Sequence, residues 1–216
     1  MDIITKYFRE ITDRQRCQFE ALGGLYGDWN AKINLISRRD IDNLYERHVL
    51  HSLGIAKAIR FKIGSVVMDA GTGGGFPGIP LAILFPDVSF HLVDATGKKI
   101  RVVENIVKEI DLQNVTARHC RLEEEKSKFD FVVSRAVMTL PELVRLIRKN
   151  IAAKPVNAIP NGLLCLKGER TANAPAGEKS LASELAPFGK NVFVTSLKDF
   201  FTEDYFKTKK IIHIPL

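Results

Sequence analysis

Cysteine, tryptophan and methionine are scarce in the 216-residue chain, with three Cys, one Trp and three Met. The three cysteines, Cys17, Cys120 and Cys165, are widely spaced and odd in number, which argues against a disulfide framework or a zinc site and for reduced thiols. No apolar run approaches the roughly 20 residues needed to cross a bilayer, so no membrane partner is expected. The opening Met1-Asp2-Ile3-Ile4-Thr5-Lys6 lacks the basic-then-apolar layout of an export signal, which predicts a cytosolic, cytoplasmic protein. No G-x-x-x-x-G-K-[ST] phosphate loop occurs. His48 and His51 stand three apart without an acid or thiol at ligand spacing, so no metal is expected.

What is present describes an ordinary globular chain. Hydrophobic residues make up 45% and charged residues 26%, and the length suits one well-buried domain with an appendage. The net charge of +7 favours a polyanionic partner without choosing one.

Residues 1–60 read as a helical N-terminal extension. Leu22, Leu25, Tyr26, Trp29 and Ile33 recur at helical steps, Ser37 to Asp40 offers a cap, and Ile41, Leu44 and Tyr45 begin a second apolar face. Trp29 is read as a core anchor, with base stacking as the alternative. Residues 61–216 then alternate. Strands are expected at 66–68, 88–93, 115–117, 129–133, 163–166, 192–195 and 211–214, and helices at 79–84, 98–110, 140–151 and near 181–185. This order predicts an α/β, doubly wound, Rossmann-like sheet, mostly parallel, with the last two strands forming an antiparallel C-terminal edge. The polar stretch 171–177 is the expected loop, and a monomer is the expected form.

The chemistry gathers at Val66-Val67-Met68-Asp69-Ala70-Gly71-Thr72-Gly73-Gly74-Gly75-Phe76-Pro77-Gly78. A β-branched run ends in an acid, then in glycines that leave backbone N–H groups open to a ligand, then in a helix start. Ligands of open α/β sheets bind outside the carboxyl ends of strands. That rule brings Gly71 together with Asp94, which ends the second strand, with Leu122 and Glu123 beyond the third, and with Ser134-Arg135-Ala136 beyond the fourth. Asp94 stands where such folds hold ribose hydroxyls. Leu122 and Glu123 would flank an adenine, or else Glu123-Glu124-Glu125 is a solvated acidic run. Gly73 to Gly78 also satisfies G-x-G-x-x-G, which keeps a nicotinamide-dependent dehydrogenase in view. However, Phe76-Pro77 fills the turn where a pyrophosphate needs access, and S-adenosyl-L-methionine has none, so the site tilts towards a methyl donor.

These residues resemble the RsmG (GidB) family of bacterial 16S ribosomal RNA guanine-N7 methyltransferases. The resemblance lies in Asp69 to Ile83, Leu92-Val93-Asp94-Ala95-Thr96-Gly97-Lys98-Lys99, Arg121-Leu122-Glu123-Glu124, Phe129 to Ala136 and Leu166-Lys167-Gly168, with Trp29 to Leu35 and Glu46 to Leu53 upstream. It implies a class I methyltransferase sheet and methyl transfer from S-adenosyl-L-methionine to N7 of one guanine in 16S ribosomal RNA or the small ribosomal subunit. It also implies that Gly71, Phe76, Asp94, Ala95, Thr96, Leu122, Glu123 and Arg135 contact the cofactor. Guanine N7 carries a lone pair and no proton, so in-line transfer needs no general base and the pattern singles out no catalytic residue. Lys32, Arg38, Arg39, Arg47, Lys98, Lys99, Arg101, Arg118 and Arg121 form the candidate RNA-facing set. A non-catalytic basic RNA-binding assembly factor is the alternative outside the enzymes.

Overall fold

Near-continuous burial along the central strands puts apolar side chains on both faces of one sheet, and helices cover each face. A computed structural model describes residues 1–33, 35–37, 40–135, 137–169 and 180–216. The expected loop at 171–177 lies outside the described residues, as do Arg38, Arg39 and Ala136.

The chain opens with α1 (Asp2–Tyr7) and α2 (Asp13–Lys32). Thr12 and Gln15 close a reciprocal capping box at the start of α2. A 3-10 turn at Ile41–Asn43 and a π-helical run at Leu44–Leu50 lead to the short helices α3 (His51–Leu53) and α4 (Ile55–Ala58). The alternating part follows: β1 (Val66–Ala70), α5 (Gly78–Leu84), β2 (Ser89–Asp94), α6 (Gly97–Glu109), β3 (Val115–His119) and β4 (Phe131–Arg135). It continues with α7 (Leu140–Ile147), β5 (Gly162–Gly168), α8 (Leu181–Leu185), β6 (Phe193–Ser196) and β7 (Lys209–Pro215).

The strand order is β3-β2-β1-β4-β5-β7-β6. The first five strands pair in parallel, and β7 runs antiparallel to both β5 and β6. The antiparallel pairing of the last two strands holds, but β7 inserts between β5 and β6, and two 3-10 turns, Leu197–Asp199 and Asp204–Thr208, separate them in sequence. The fourth strand begins at Phe131 and not at residue 129; Phe129 makes only a single bridge to Ile151. The helix expected over 140–151 ends at Ile147 and tightens into a 3-10 turn at Arg148–Asn150.

Period-two alternation splits the core. Val67, Phe131, Val133 and Leu164 pack on one face, while Met68, Ala70, Val132, Leu163 and Cys165 pack on the other. The N-terminal helices join the first of these clusters through buried Ile4, Phe19, Leu22 and Tyr26. Polar ties reinforce the joint. Gln15 Nε2 donates to the Ile83 and Leu84 carbonyls that end α5, Gln18 Nε2 donates to the Ile110 carbonyl, and Trp29 Nε1 donates to Asn105 Oδ1 at 2.8 Å. Trp29 thus anchors α2 on α6.

Candidate functional site

Because β2 lies on one side of β1 and β4 on the other, the chain reverses its direction of winding at the end of β1. Ligands of open α/β sheets collect at this switch point. The turn after β1 is built around the buried Asp69. Its Oδ2 accepts the Thr72 hydroxyl at 2.6 Å and the Gly78 N–H at 2.8 Å, which ties the strand's end to the first residue of α5. Burial pushes the Asp69 carboxyl up to about 7, although those two hydrogen bonds and the Arg135 charge pull the other way. Asp69 Oδ1 has no partner among the described residues.

Positive φ at Gly71, Gly73 and Gly75 makes the turn possible. A Cβ at Gly71 would stand 2.7 Å from Val137 Cγ2, so the backbone there is bare because a neighbour already occupies the space. Thr72 N–H donates to the Val93 carbonyl, and Asp94 Oδ2 accepts the Gly73 N–H at 2.9 Å. Asp94 Oδ1 accepts the Thr96 N–H at 2.8 Å. A carboxylate has about four acceptor sites, so two remain for a ligand.

At this junction the strand ends line a cavity of about 200 Å³ that opens to solvent. Five of the residues selected from the sequence line it: Gly71, Asp94, Ala95, Leu122 and Glu123. Leu122 is buried and Glu123 is exposed, so an apolar floor sits beside a polar rim. Lys149 Nζ donates to the Glu123 carbonyl, and the Cys120 N–H donates to the Asp94 carbonyl, which fixes this loop against β2. Val93 and Arg121 line it as well, and Cys120, Val137, Met138 and Leu146, which sequence reasoning missed, complete the wall. Val137 and Met138 directly follow the Ser134-Arg135-Ala136 run, which was the available signal.

The other three selected residues stand apart from this lining. Thr96 is exposed and serves as the N-cap of α6. Phe76 and Arg135 pack on each other, with the guanidinium carbon 5.1 Å from the ring centre. Tyr26 lies 4.8 Å and His48 5.3 Å from the same ring, centre to centre. Arg135 Nη2 meets His48 Nδ1 at 2.9 Å, and Nη1 donates to the Arg47 carbonyl at 3.2 Å. Burial and the neighbouring Arg135 charge bring the His48 pKa down to about 4. Among the described residues no His, Cys, Asp and Glu side chains cluster as a metal site, and no helix is long and apolar enough to cross a membrane.

Two members of the basic set are already engaged. Arg47 pairs with Asp40 at 2.6 Å and Arg118 with Glu125 at 3.0 Å. Lys32 lies over the Trp29 ring.

The doubly wound sheet with its antiparallel edge, and a cavity at the switch point, define the class I methyltransferase fold. The fold recurs in a SAM-dependent methyltransferase from Aquifex aeolicus at TM-score 0.56, with 16% identity and 84% of this chain and 100% of that one covered. It recurs too in the fibrillarin/Nop5p complex at TM-score 0.52, with 14% identity and 75% and 78% covered. The family model "GidB: rRNA small subunit methyltransferase G" matches residues 16–192. The chain belongs to that family. Ribosomal RNA small subunit methyltransferase G of Parabacteroides distasonis is 59% identical over 214 residues, 99% of this chain and 89% of its own length. The protein of that name from Bacteroides fragilis is 58% identical over 216 residues, 100% of both chains.

Proposed function

We propose that this protein methylates N7 of a guanine in 16S ribosomal RNA, with S-adenosyl-L-methionine as methyl donor, and that it works in the cytoplasm where that RNA resides. The observation that carries the reading is the cavity at the β1/β4 switch point, in which an acid, an apolar floor and a bare glycine turn converge. The residues fit an adenosine group. Asp94 retains acceptor capacity for ribose hydroxyls, Leu122 and Ala95 offer apolar contact to the base, and Glu123 offers an acceptor at its edge. Beyond Gly71, Phe76 and Arg135 supply an aromatic face and a fixed positive charge for the remainder of the molecule.

When bound, the sulfonium supplies an electrophilic methyl group. The protein's own task is to hold the acceptor base in line and keep water out, and such orientation is worth roughly 7–11 kcal/mol in favourable cases. N7 has no proton to remove, so the chemistry requires no general base. Guanidinium stays protonated, which makes Arg135 a contact residue and not a base.

Calorimetry should show binding of S-adenosyl-L-methionine and none of NAD, and label from the donor should enter small subunits or naked 16S ribosomal RNA. Binding of NAD in its place, or binding of the donor with no RNA labelled, would replace this reading with a dehydrogenase or a passive binder.

A further inference from the structure

The cluster around Phe76 holds the Arg135 guanidinium, and the neighbouring Arg47, whose carbonyl Arg135 meets, has its Nε buried without a partner among the described residues. His48 differs from these arginines in that its role depends on where its proton sits. A guanidinium nitrogen can donate and cannot accept, so the 2.9 Å contact from Arg135 Nη2 requires a lone pair on His48 Nδ1. The ring is then neutral and carries its proton on Nε2. Among the described residues Nε2 makes no hydrogen bond. The imidazole packs at a tilt on Phe76, with 56° between the ring planes, so a residue of the glycine loop itself helps to fix its direction.

A fixed donor facing the acceptor base would distinguish purines. Along the edge that carries N7, guanine shows a second acceptor, O6, whereas adenine shows an amino donor. N7 must keep its lone pair for the incoming methyl, so the donor's natural partner is the neighbouring O6. We propose that His48 is the specificity-determining residue for the acceptor base, with its Nε2–H donating to guanine O6 while Arg135 locks the tautomer. An amino group at the same place would set donor against donor and be rejected. The burial that keeps His48 neutral far below physiological pH acts in the same direction. This inference rests on the guanine-N7 reading above.

The test has a ligand-free arm and a substrate arm. In nitrogen-15 spectra of histidine-labelled protein, His48 is expected as the Nε2–H tautomer. An Nδ1–H tautomer or an imidazolium at neutral pH would overturn the lock. In the second arm, digestion of methylated RNA first identifies the wild-type product, and a product other than 7-methylguanosine overturns the guanine reading itself. With that product established and mapped, RNA carrying 2,6-diaminopurine at the target, with an amino group in place of O6, is compared with the guanine form. The wild type is expected to discriminate by roughly 10- to 100-fold. His48→Phe and His48→Ala, checked for retained S-adenosyl-L-methionine affinity, are expected to bring that ratio to within about threefold. A wild type that accepts both bases equally contradicts the proposal even if neither variant folds. Variants that slow transfer but keep the wild-type ratio show a packing role and contradict it as well.

Discussion

The carboxylate of Asp94, at the end of β2, accepts the N–H of Gly73, in the turn after β1, at 2.9 Å. One side chain thus shapes the glycine turn and lines the cavity beside it. Asp94→Ala is expected to leave the sheet folded but to weaken S-adenosyl-L-methionine binding roughly 10- to 100-fold, as the removal of hydrogen bonds to a charged acceptor implies. Titration calorimetry reads this directly, and unchanged affinity would remove Asp94 from the site.

Asp69 carries a pH signature. Burial raises its folded pKa from 3.8 to about 7, so the folded state holds the proton more tightly than the unfolded chain does. Stability from this group is therefore lost as pH rises from 3.8 to about 7. Each unit of pKa difference is worth about 1.4 kcal/mol, so the component amounts to a few kcal/mol at most. Asp69→Asn is expected to flatten it in denaturant unfolding measured across that range; a variant curve parallel to the wild type would refute the assignment.

Glycines in different places should respond oppositely to alanine. Gly71→Ala meets both a φ of +67° and Val137 at 2.7 Å, so a cost of about 1–2 kcal/mol and weaker donor binding are expected. Gly24→Ala, inside α2 with nothing within 4 Å, should raise stability by about 0.5–1 kcal/mol. Equal effects at the two sites, read by thermal unfolding, would show that the turn geometry does not matter.

Behind the cavity wall, Lys167 Nζ bonds Glu184 Oε2 and the Met138 carbonyl, each at 2.9 Å, and Glu184 also accepts the Leu140 N–H. Both side chains are nearly buried, at 13% and 10% exposure. Glu184→Ala strands a charge and is expected to cost about 3–5 kcal/mol, while Glu184→Ala combined with Lys167→Met should cost less than the single change. Additive effects in thermal unfolding would show that the pair is uncoupled.

Of the nine basic residues expected to face RNA, Lys98, Lys99 and Arg101 lie on α6 and Arg121 lines the cavity. Changing them together to Glu should weaken RNA binding and lower the slope of log affinity against log salt by about 0.7–0.9 for each phosphate no longer neutralised. A salt titration with the slope unchanged would place the RNA elsewhere.

The sheet was legible because most of the parallel strands are short apolar runs bounded by polar turns, and five of the candidate site residues share one cavity because they sit at strand ends that topology must bring together. What local pattern could not show was pairing over long distances. The insertion of β7 beside β5 joins residues as far apart in sequence as Gly162 and Pro215, and the His48–Arg135 bond joins residues 87 apart. The Arg47–Asp40 and Arg118–Glu125 pairs could not be read ahead because Asp40 and Glu125 lie in irregular segments whose geometry the sequence does not encode. Cys120 and Leu146 were missed for a similar reason: each is an ordinary apolar or thiol position until the cavity closes around it.

Determination of the structure bound to S-adenosylhomocysteine tests the central claim most directly. The expected result is a ribose on Asp94, an adenine between Ala95 and Leu122, and the amino-acid end running past Gly71 towards Phe76 and Arg135. A nucleoside seated anywhere else, with the switch-point cavity left to solvent, would contradict it.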